Sequence, residues 1–134
     1  MAKSRVFISD LCRGFTGYYI NNGSWRTMIA RIWHGRTDVA KADAYFEFLK
    51  ERAVPDYQMT KGNRGVFLFR RVEGNETHFL TLTHWDSLEA IKAFAGTDIS
   101  KAKYYPEDAD FLLEFEPTVE HYELYVAPAL HQKS

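Results

Sequence analysis

The order in which strand-like and helix-like patterns follow one another limits the folds open to this chain of 134 residues. Four segments are rich in β-branched and aromatic residues, as strands are, and two segments repeat apolar residues at intervals of three and four, as one helix face does. They alternate as strand, helix, strand, strand, helix, strand. The predicted strands are 28–34, 65–72, 77–85 and 119–126.

The two helices are bounded by residues that commonly start or end a helix. Thr37 is a suitable N-cap for the first helix, and Pro55 is expected to end it because proline removes a backbone donor. The second helix is predicted to begin at Asp86 or Ser87 and to end at Gly96, since glycine readily adopts the backbone conformation found after a helix C-terminus.

This order is the split βαβ arrangement of a ferredoxin-like α+β fold. Right-handed crossovers then give an antiparallel sheet with strand order 4-1-3-2 and both helices on one face. The strands are apolar on both sides, so the face without helices would leave a large apolar patch in water. We therefore expect a second copy of the chain to cover it, which makes a homodimer with the shape of a dimeric α+β barrel.

The predicted domain comprises residues 27–126, preceded by an N-terminal arm at 1–26 and followed by a C-terminal tail at 127–134. The arm has glycines and asparagines among scattered aromatic rings, with no sustained strand or helix period. We interpret it as a segment that packs over a partner subunit or a pocket mouth. The alternative is an extension without a role.

The charge balance is close to neutral, with 17 Lys and Arg against 18 Asp and Glu. Neither nucleic acid nor a membrane is expected as a partner, because nothing provides broad attraction for phosphate groups. Cys12 is the single cysteine and no long apolar run is present, which favours a cytoplasmic protein. Aromatic residues make up 16% of the chain, which favours a pocket for a small hydrophobic or aromatic molecule, or an oligomer interface.

Several stretches also resemble a known group of proteins. The stretches concerned are 28–35, 63–65, 68–72, 85–90, 93–96 and 121–123. They are similar to small bacterial proteins of the antibiotic biosynthesis monooxygenase-like (ABM) family, within the dimeric α/β barrel superfamily. The resemblance covers about residues 28–125, and it implies the same ferredoxin-like fold and dimeric barrel.

That superfamily includes cofactor-independent monooxygenases of polycyclic aromatic phenols, haem-degrading enzymes and members without an established reaction. The resemblance implies a monooxygenase that acts on a small aromatic or polyketide-like substrate and uses no cofactor. Haem is not implied, because other residues stand where the haem degraders have Asn, Trp and His. Arg31 or Trp33 stands in place of the Asn, Phe94 in place of the Trp, and Lys103 or Tyr104 in place of the His. The alternative is a non-catalytic dimeric barrel that binds a small hydrophobic ligand or serves a stress-related role.

Strand directions bring several polar residues towards one end of the predicted sheet, because strand one runs antiparallel to strands three and four. The residues expected there are Trp33, His34, His78, His121 and, on strand two, Arg70. An imidazole can accept a phenolic proton near neutral pH, and a guanidinium can stabilise the resulting oxyanion. We therefore predict His34, Arg70 and His121 as catalytic residues, on the sheet face without helices.

Substrate-binding residues are predicted around the same place. The set is Arg31, Trp33, His78, Tyr104, Tyr105 and Tyr122. The alternative for the aromatic members is packing in the core or the dimer interface, and the alternative for the arginine on strand two is a structural ion pair. A metal site is not predicted, because the histidines follow no ligand-spacing motif; they could equally be hydrogen-bonded rim residues.

Overall fold

The structure is a computed structural model that describes residues 28–125 and two short strands before them. These strands, β1 (Tyr18–Tyr19) and β2 (Trp25–Arg26), form an antiparallel pair. The rest of the predicted arm and the predicted tail lie outside the described residues. Residues 29–122 form one compact unit.

A four-stranded antiparallel sheet forms the centre of the fold. Its strands are β3 (Met28–Asp38), β4 (Asn63–Glu73), β5 (Glu76–Trp85) and β6 (Glu120–Leu124). Their spatial order is β4-β5-β3-β6, which is the predicted 4-1-3-2 order read from the opposite edge. The turn between β4 and β5 contains Gly74 at φ 62°, a backbone conformation that glycine adopts without strain. The predicted α+β fold and strand order are confirmed.

The first helical segment begins later than predicted. β3 continues to Asp38, so Thr37 is a strand residue and not an N-cap; its hydroxyl donates to the Asp38 carbonyl at 2.9 Å. The segment then consists of a 3₁₀ turn (Val39–Lys41), α1 (Ala42–Phe48), a π-helical turn (Leu49–Ala53) and α2 (Val54–Met59).

The prediction that Pro55 ends this helix is wrong. Pro55 lies in the first turn of α2, directly after the π-helical turn. A proline in a regular α-helix lacks one hydrogen bond and clashes with the carbonyl four residues earlier, and the wider π-helical turn relieves both conflicts. The helix therefore passes the proline, and α2 adds Asp56 and Tyr57 to the layer above the sheet.

The second predicted helix is present as α3 (Leu88–Ala95). The Ser87 hydroxyl caps it by accepting a bond from the Ala90 amide at 3.1 Å, and Gly96 ends it at φ 100°. The residues from 96 to 119, called the connecting segment below, lead back to β6. They contain a 3₁₀ turn (Pro106–Asp110). No helix in the described part of the chain is long and apolar enough to cross a membrane.

Side chains alternate between the two faces of the sheet. The helix-covered face carries the hydrophobic core, whose largest buried members include Trp33, Tyr45, Phe79, Trp85 and Ile91. On the opposite face, called the open face below, Phe67 and Phe69 are 43% and 48% exposed. Their rings stack with centroids 6.3 Å apart.

Candidate functional site

A pocket lies on the helix-covered face of the sheet, where the connecting segment passes the first helical segment. It is partly open to solvent, and its enclosed space is about 10 Å³, enough for about one water molecule. The polar and aromatic side chains that line it are Trp33, Tyr45, Tyr57, Lys103, Tyr105 and Asp108. Two predicted site residues, Trp33 and Tyr105, are therefore in this pocket. The pocket does not lie on the face where the sequence analysis placed an active site.

At one edge of the pocket, two side chains share a single carboxylate oxygen. Oδ2 of Asp56 accepts from Tyr105 Oη at 2.5 Å and from Lys103 Nζ at 2.9 Å. Burial alone would raise the pKa of Asp56, but the two hydrogen bonds together with the positive charges of Lys103 and Arg52 outweigh burial, and the pKa is lowered. Lys103 Nζ also lies 4.2 Å from the centroid of the Phe94 ring, a cation–π contact. The pocket thus has one ammonium, held by a carboxylate and an aromatic ring.

A second carboxylate, Asp108, lines the pocket and is only 2% exposed. Its Oδ1 accepts from the Tyr45 hydroxyl at 2.8 Å, and its Oδ2 accepts from the Tyr105 amide at 2.6 Å. No ion pair to Asp108 occurs among the described residues. Burial raises the pKa of Asp108, because an apolar environment disfavours the charged form. The sequence analysis did not identify this residue.

The remaining wall of the pocket combines aromatic rings with Leu49, Ala53 and Thr81. The hydroxyl of Tyr57 pairs with Thr81 Oγ1 at 3.1 Å, and burial raises the pKa of Tyr57. The predicted residue Tyr104 lies behind the pocket, with its ring centroid 6.2 Å from that of Trp33. Its hydroxyl donates to the Glu116 carbonyl at 2.5 Å. Tyr104 therefore supports Trp33 from outside the pocket.

Two further predicted residues, Arg31 and His121, bond to each other on the helix-covered face. Arg31 is 2% exposed and donates to the carbonyls of Ile99 at 2.6 Å and Lys101 at 3.1 Å, which fixes the connecting segment to β3. Its Nη1 lies 3.1 Å from His121 Nε2. A guanidinium only donates, so Nε2 accepts and His121 is neutral with its proton on Nδ1. Burial and the adjacent Arg31 lower the pKa of His121.

This geometry argues against the predicted role of His121 as a base. The lone pair that would accept a substrate proton already accepts a bond from Arg31. His121 also lies on the opposite face from His34, because neighbouring strand positions alternate. The prediction that these two histidines act together is therefore corrected: they belong to separate groups.

His34 and His78 meet on the open face, as the strand directions predicted. His34 Nε2 lies 2.8 Å from His78 Nδ1, and the two rings stack with centroids 5.1 Å apart. The other nitrogen of His34, Nδ1, lies 2.6 Å from Glu116 Oε2. The other nitrogen of His78, Nε2, lies 3.1 Å from Glu73 Oε1. Two imidazoles are thus placed in line between two carboxylates.

Arg70 and Tyr122 lie apart from both groups. Arg70 leaves β4 on the helix-covered face, where Nη1 contacts Asp43 Oδ1 at 2.9 Å and the guanidinium lies 5.1 Å from the centroid of the Phe46 ring. The prediction that it joins His34 is wrong, because the side chain points away from the open face. Tyr122 is 53% exposed on β6. Neither residue lines the pocket.

Comparisons with known proteins agree on the fold. No protein family and no curated protein matches the sequence. The structure is similar to NE2512, a protein of unknown function from Nitrosomonas europaea, with 19% identity, 80% of this chain and 98% of that chain covered, and a TM-score of 0.60. It is also similar to the protein SO0527 from Shewanella oneidensis, with 15% identity, 76% of this chain and 95% of that chain covered, and a TM-score of 0.57. The chain has the ferredoxin-like fold of these proteins.

A third solved structure is that of a candidate antibiotic biosynthesis monooxygenase from Bacillus cereus. It matches at 14% identity, with 79% of this chain and 99% of that chain covered and a TM-score of 0.49. At such identities the comparison concerns fold, so chemistry has to be argued from the residues of this chain. Within the described residues, no group of three or more His, Cys, Asp or Glu side chains is placed to hold a metal ion.

Proposed function

We propose that this protein binds a small aromatic molecule in the helix-side pocket and oxygenates it without a prosthetic group. The observation that carries the proposal is the lining of the pocket, which combines four aromatic rings with one ammonium and one buried carboxylate. Aromatic walls suit a flat apolar ligand, and a few placed polar groups fix its orientation. The enclosed space holds only about one water molecule, so the proposed binding requires the side chains at the pocket mouth to move apart. Dioxygen is the co-reactant.

The chemistry requires little from the protein. When a hydroxyanthrone loses a proton, the resulting anion can pass one electron to dioxygen; the two radicals then join as a peroxide, which loses water. The substrate methylene becomes a carbonyl, one oxygen atom enters the product and the other leaves as water. Lys103 would stabilise the anion, and Asp108, whose pKa is raised by burial, would accept the proton.

Oxygen uptake with a hydroxyanthrone, followed together with the visible absorbance of the quinone product, tests this proposal. Lys103→Met should lower kcat/KM by roughly tenfold to a thousandfold, because it removes the ammonium that lines the pocket. Lys92→Met is the matched control: Lys92 is an exposed lysine on α3 that pairs with Glu89 at 3.2 Å. Equal rates for wild type and Lys103→Met, or no rate above the protein-free background, would contradict the proposal.

The second candidate function is ligand binding without catalysis. It is favoured by the pairing already present in the pocket, where Lys103 is bonded to Asp56 and Asp108 to Tyr45. Groups that are engaged in this way stabilise the fold and are less available to a substrate. Quenching of tryptophan fluorescence by the same hydroxyanthrone, without oxygen uptake above background, would support this second function.

The proposed assembly is a homodimer in which two open faces pack together. Support comes from the large apolar side chains exposed on that face, namely Phe67, Phe69 and Leu80. A contiguous exposed apolar patch of this kind is characteristic of a protein interface. A self-complementary pairing of two copies would bury both patches at once.

A further inference from the structure

The mouth of the helix-side pocket is formed by two side chains of the connecting segment. Among the nine residues that line the pocket, seven are buried, and Lys103 and Tyr105 are partly exposed. These two side chains are called the pocket mouth below. The space behind them holds about one water molecule, so an aromatic molecule cannot enter while both side chains keep their positions.

One carboxylate oxygen holds both residues of the pocket mouth. Oδ2 of Asp56 accepts from the Tyr105 hydroxyl at 2.5 Å and from Lys103 Nζ at 2.9 Å. Asp56 belongs to α2, whereas the other two residues belong to the connecting segment. The two elements are therefore joined at the pocket mouth through a single atom.

The backbone of the pocket mouth has hydrogen bonds of its own. The Tyr105 amide donates to Asp108 Oδ2 at 2.6 Å, and the Tyr105 carbonyl accepts from the Asp108 amide at 2.9 Å. Beside Lys103, the Ala102 amide donates to the Pro117 carbonyl at 3.0 Å. Opening can therefore proceed by rotation of the two side chains between rotamers, while the backbone stays in place.

Other contacts hold Tyr105 more weakly than Asp56 does. The Arg52 guanidinium lies 4.8 Å from the centroid of the Tyr105 ring and 3.5 Å from Glu107, and both charged side chains are about half exposed. Exposed charge contacts contribute little because water competes for them. A hydrogen bond to a charged group shifts an equilibrium by roughly tenfold to a hundredfold. Asp56 and Lys103 are 36% and 32% exposed, so the lower end of that range applies to their bond.

We propose that Asp56 is the latch of the pocket: it keeps the pocket closed by holding Lys103 and Tyr105 together, and a ligand enters when both bonds to its Oδ2 are broken. The same step frees the Lys103 ammonium, which the closed state keeps on Asp56. The latch thus controls both entry and the availability of the cation. It rests on the proposed function only in taking this pocket as the binding site.

Chemical labelling of a cysteine placed in the pocket wall tests the latch. Ala53 lines the pocket and is 3% exposed; Ala42 is 5% exposed in the same helical segment and does not line it. Ala53→Cys supplies the pocket thiol and Ala42→Cys the control thiol, each together with Cys12→Ser so that one thiol is present. Iodoacetamide is larger than a water molecule, so it reaches the pocket thiol only after opening. Side-chain rotation is much faster than labelling, so the rate follows the open fraction.

The labelling rate is measured from the mass of the intact protein. Asp56→Ala should raise the rate of the pocket thiol, relative to that of the control thiol, by roughly tenfold or more. Tyr105→Phe removes one of the two bonds and keeps the ring, so it should raise the ratio by a smaller factor. The matched control is Asp43→Ala, which removes an exposed carboxylate of α1 that pairs with Arg70 at 2.9 Å. It should leave the ratio unchanged.

Two results would overturn the proposal. One is an equal rise for the pocket and control thiols in Asp56→Ala, which indicates general destabilisation of the fold; the other is a ratio that stays at its wild-type value. The assay uses neither an aromatic substrate nor dioxygen. A negative oxygenation assay therefore leaves the latch in place, whereas an unchanged labelling ratio refutes the latch and leaves the oxygenation assay to stand by itself.

Discussion

The bond between Tyr45 and Asp108 can be measured by a double-mutant cycle. Tyr45 is fully buried, and its hydroxyl donates to Asp108 Oδ1 at 2.8 Å. Hydrogen bonds to charged groups contribute roughly 1.5–3 kcal/mol to stability. Tyr45→Phe removes only this hydroxyl, so the free energy of unfolding at pH 7 should fall by about 2 kcal/mol.

Asp108→Ala should cost more than Tyr45→Phe. It leaves two donors without an acceptor, the buried Tyr45 hydroxyl and the partly buried Tyr105 amide. A buried unpaired group costs about 1–3 kcal/mol, and the partly buried amide adds less than a second full cost, so the expected loss is about 2–5 kcal/mol. The double variant should lose less than the sum of the two single losses, with a coupling energy of roughly 1.5–3 kcal/mol.

Urea unfolding followed by circular dichroism provides these free energies. Tyr122→Phe is a suitable control, because that hydroxyl belongs to a side chain that is 53% exposed, and surface changes usually alter stability by less than about 0.5 kcal/mol. Burial raises the pKa of Asp108 in the folded protein above its unfolded value of about 3.9. The free energy of unfolding therefore falls as pH rises from about 3.9 through the pKa of the folded protein. The cost of Tyr45→Phe should therefore be smaller at pH 3 than at pH 7. A coupling energy below about 0.5 kcal/mol would refute the reasoning.

Two further predictions concern charge and assembly. Burial raises the pKa of Asp56, but hydrogen bonds and the charges of Lys103 and Arg52 outweigh it and lower the pKa in the folded state. The contribution of Asp56 to stability is therefore present above about pH 3.9 and is lost as pH falls through the pKa of the folded protein. Asp56→Asn should therefore destabilise the protein at pH 7 and have little effect at pH 2, as measured by urea unfolding; an equal loss at both pH values would contradict this. Phe67→Lys together with Phe69→Lys should raise the dissociation constant of the dimer by at least roughly a hundredfold in sedimentation experiments, at about 2 kcal/mol per interface aromatic. Val72→Lys, on the other face of the same strand, should leave it unchanged, and a monomeric wild-type protein would contradict the proposed assembly.

The fold could be predicted because its signals are local. Strand and helix periods, the Ser87 cap and Gly96 all lie within the elements they define. Handedness rules then leave few topologies for six elements. The end of the first helical segment could not be predicted in this way, since a proline usually stops a helix and only the preceding π-helical turn allows it to continue.

The candidate site was predicted less completely, for a different reason. Strand directions correctly brought His34 close to His78, but they did not show which face each side chain occupies. Arg70 and His121 were therefore grouped with residues on the opposite face. Asp108 was missed because it follows Pro106 and Glu107 in an acidic stretch that is typical of a solvent-exposed turn. Its burial depends on Tyr45, which is distant in sequence.

The π-helical turn at Leu49–Ala53 also decides which residue can stand at position 55. A π-helical turn takes about one residue more than an α-helical turn, so a single deletion within it would be absorbed by a return to regular α-helix. Tyr57 would keep its place in the pocket, and Asp56 would keep its contact with Lys103. Pro55, however, would then follow a regular α-helical turn, in which its ring clashes with the carbonyl four residues earlier. A chain of this fold with one residue fewer here should therefore keep the pocket but lack the proline.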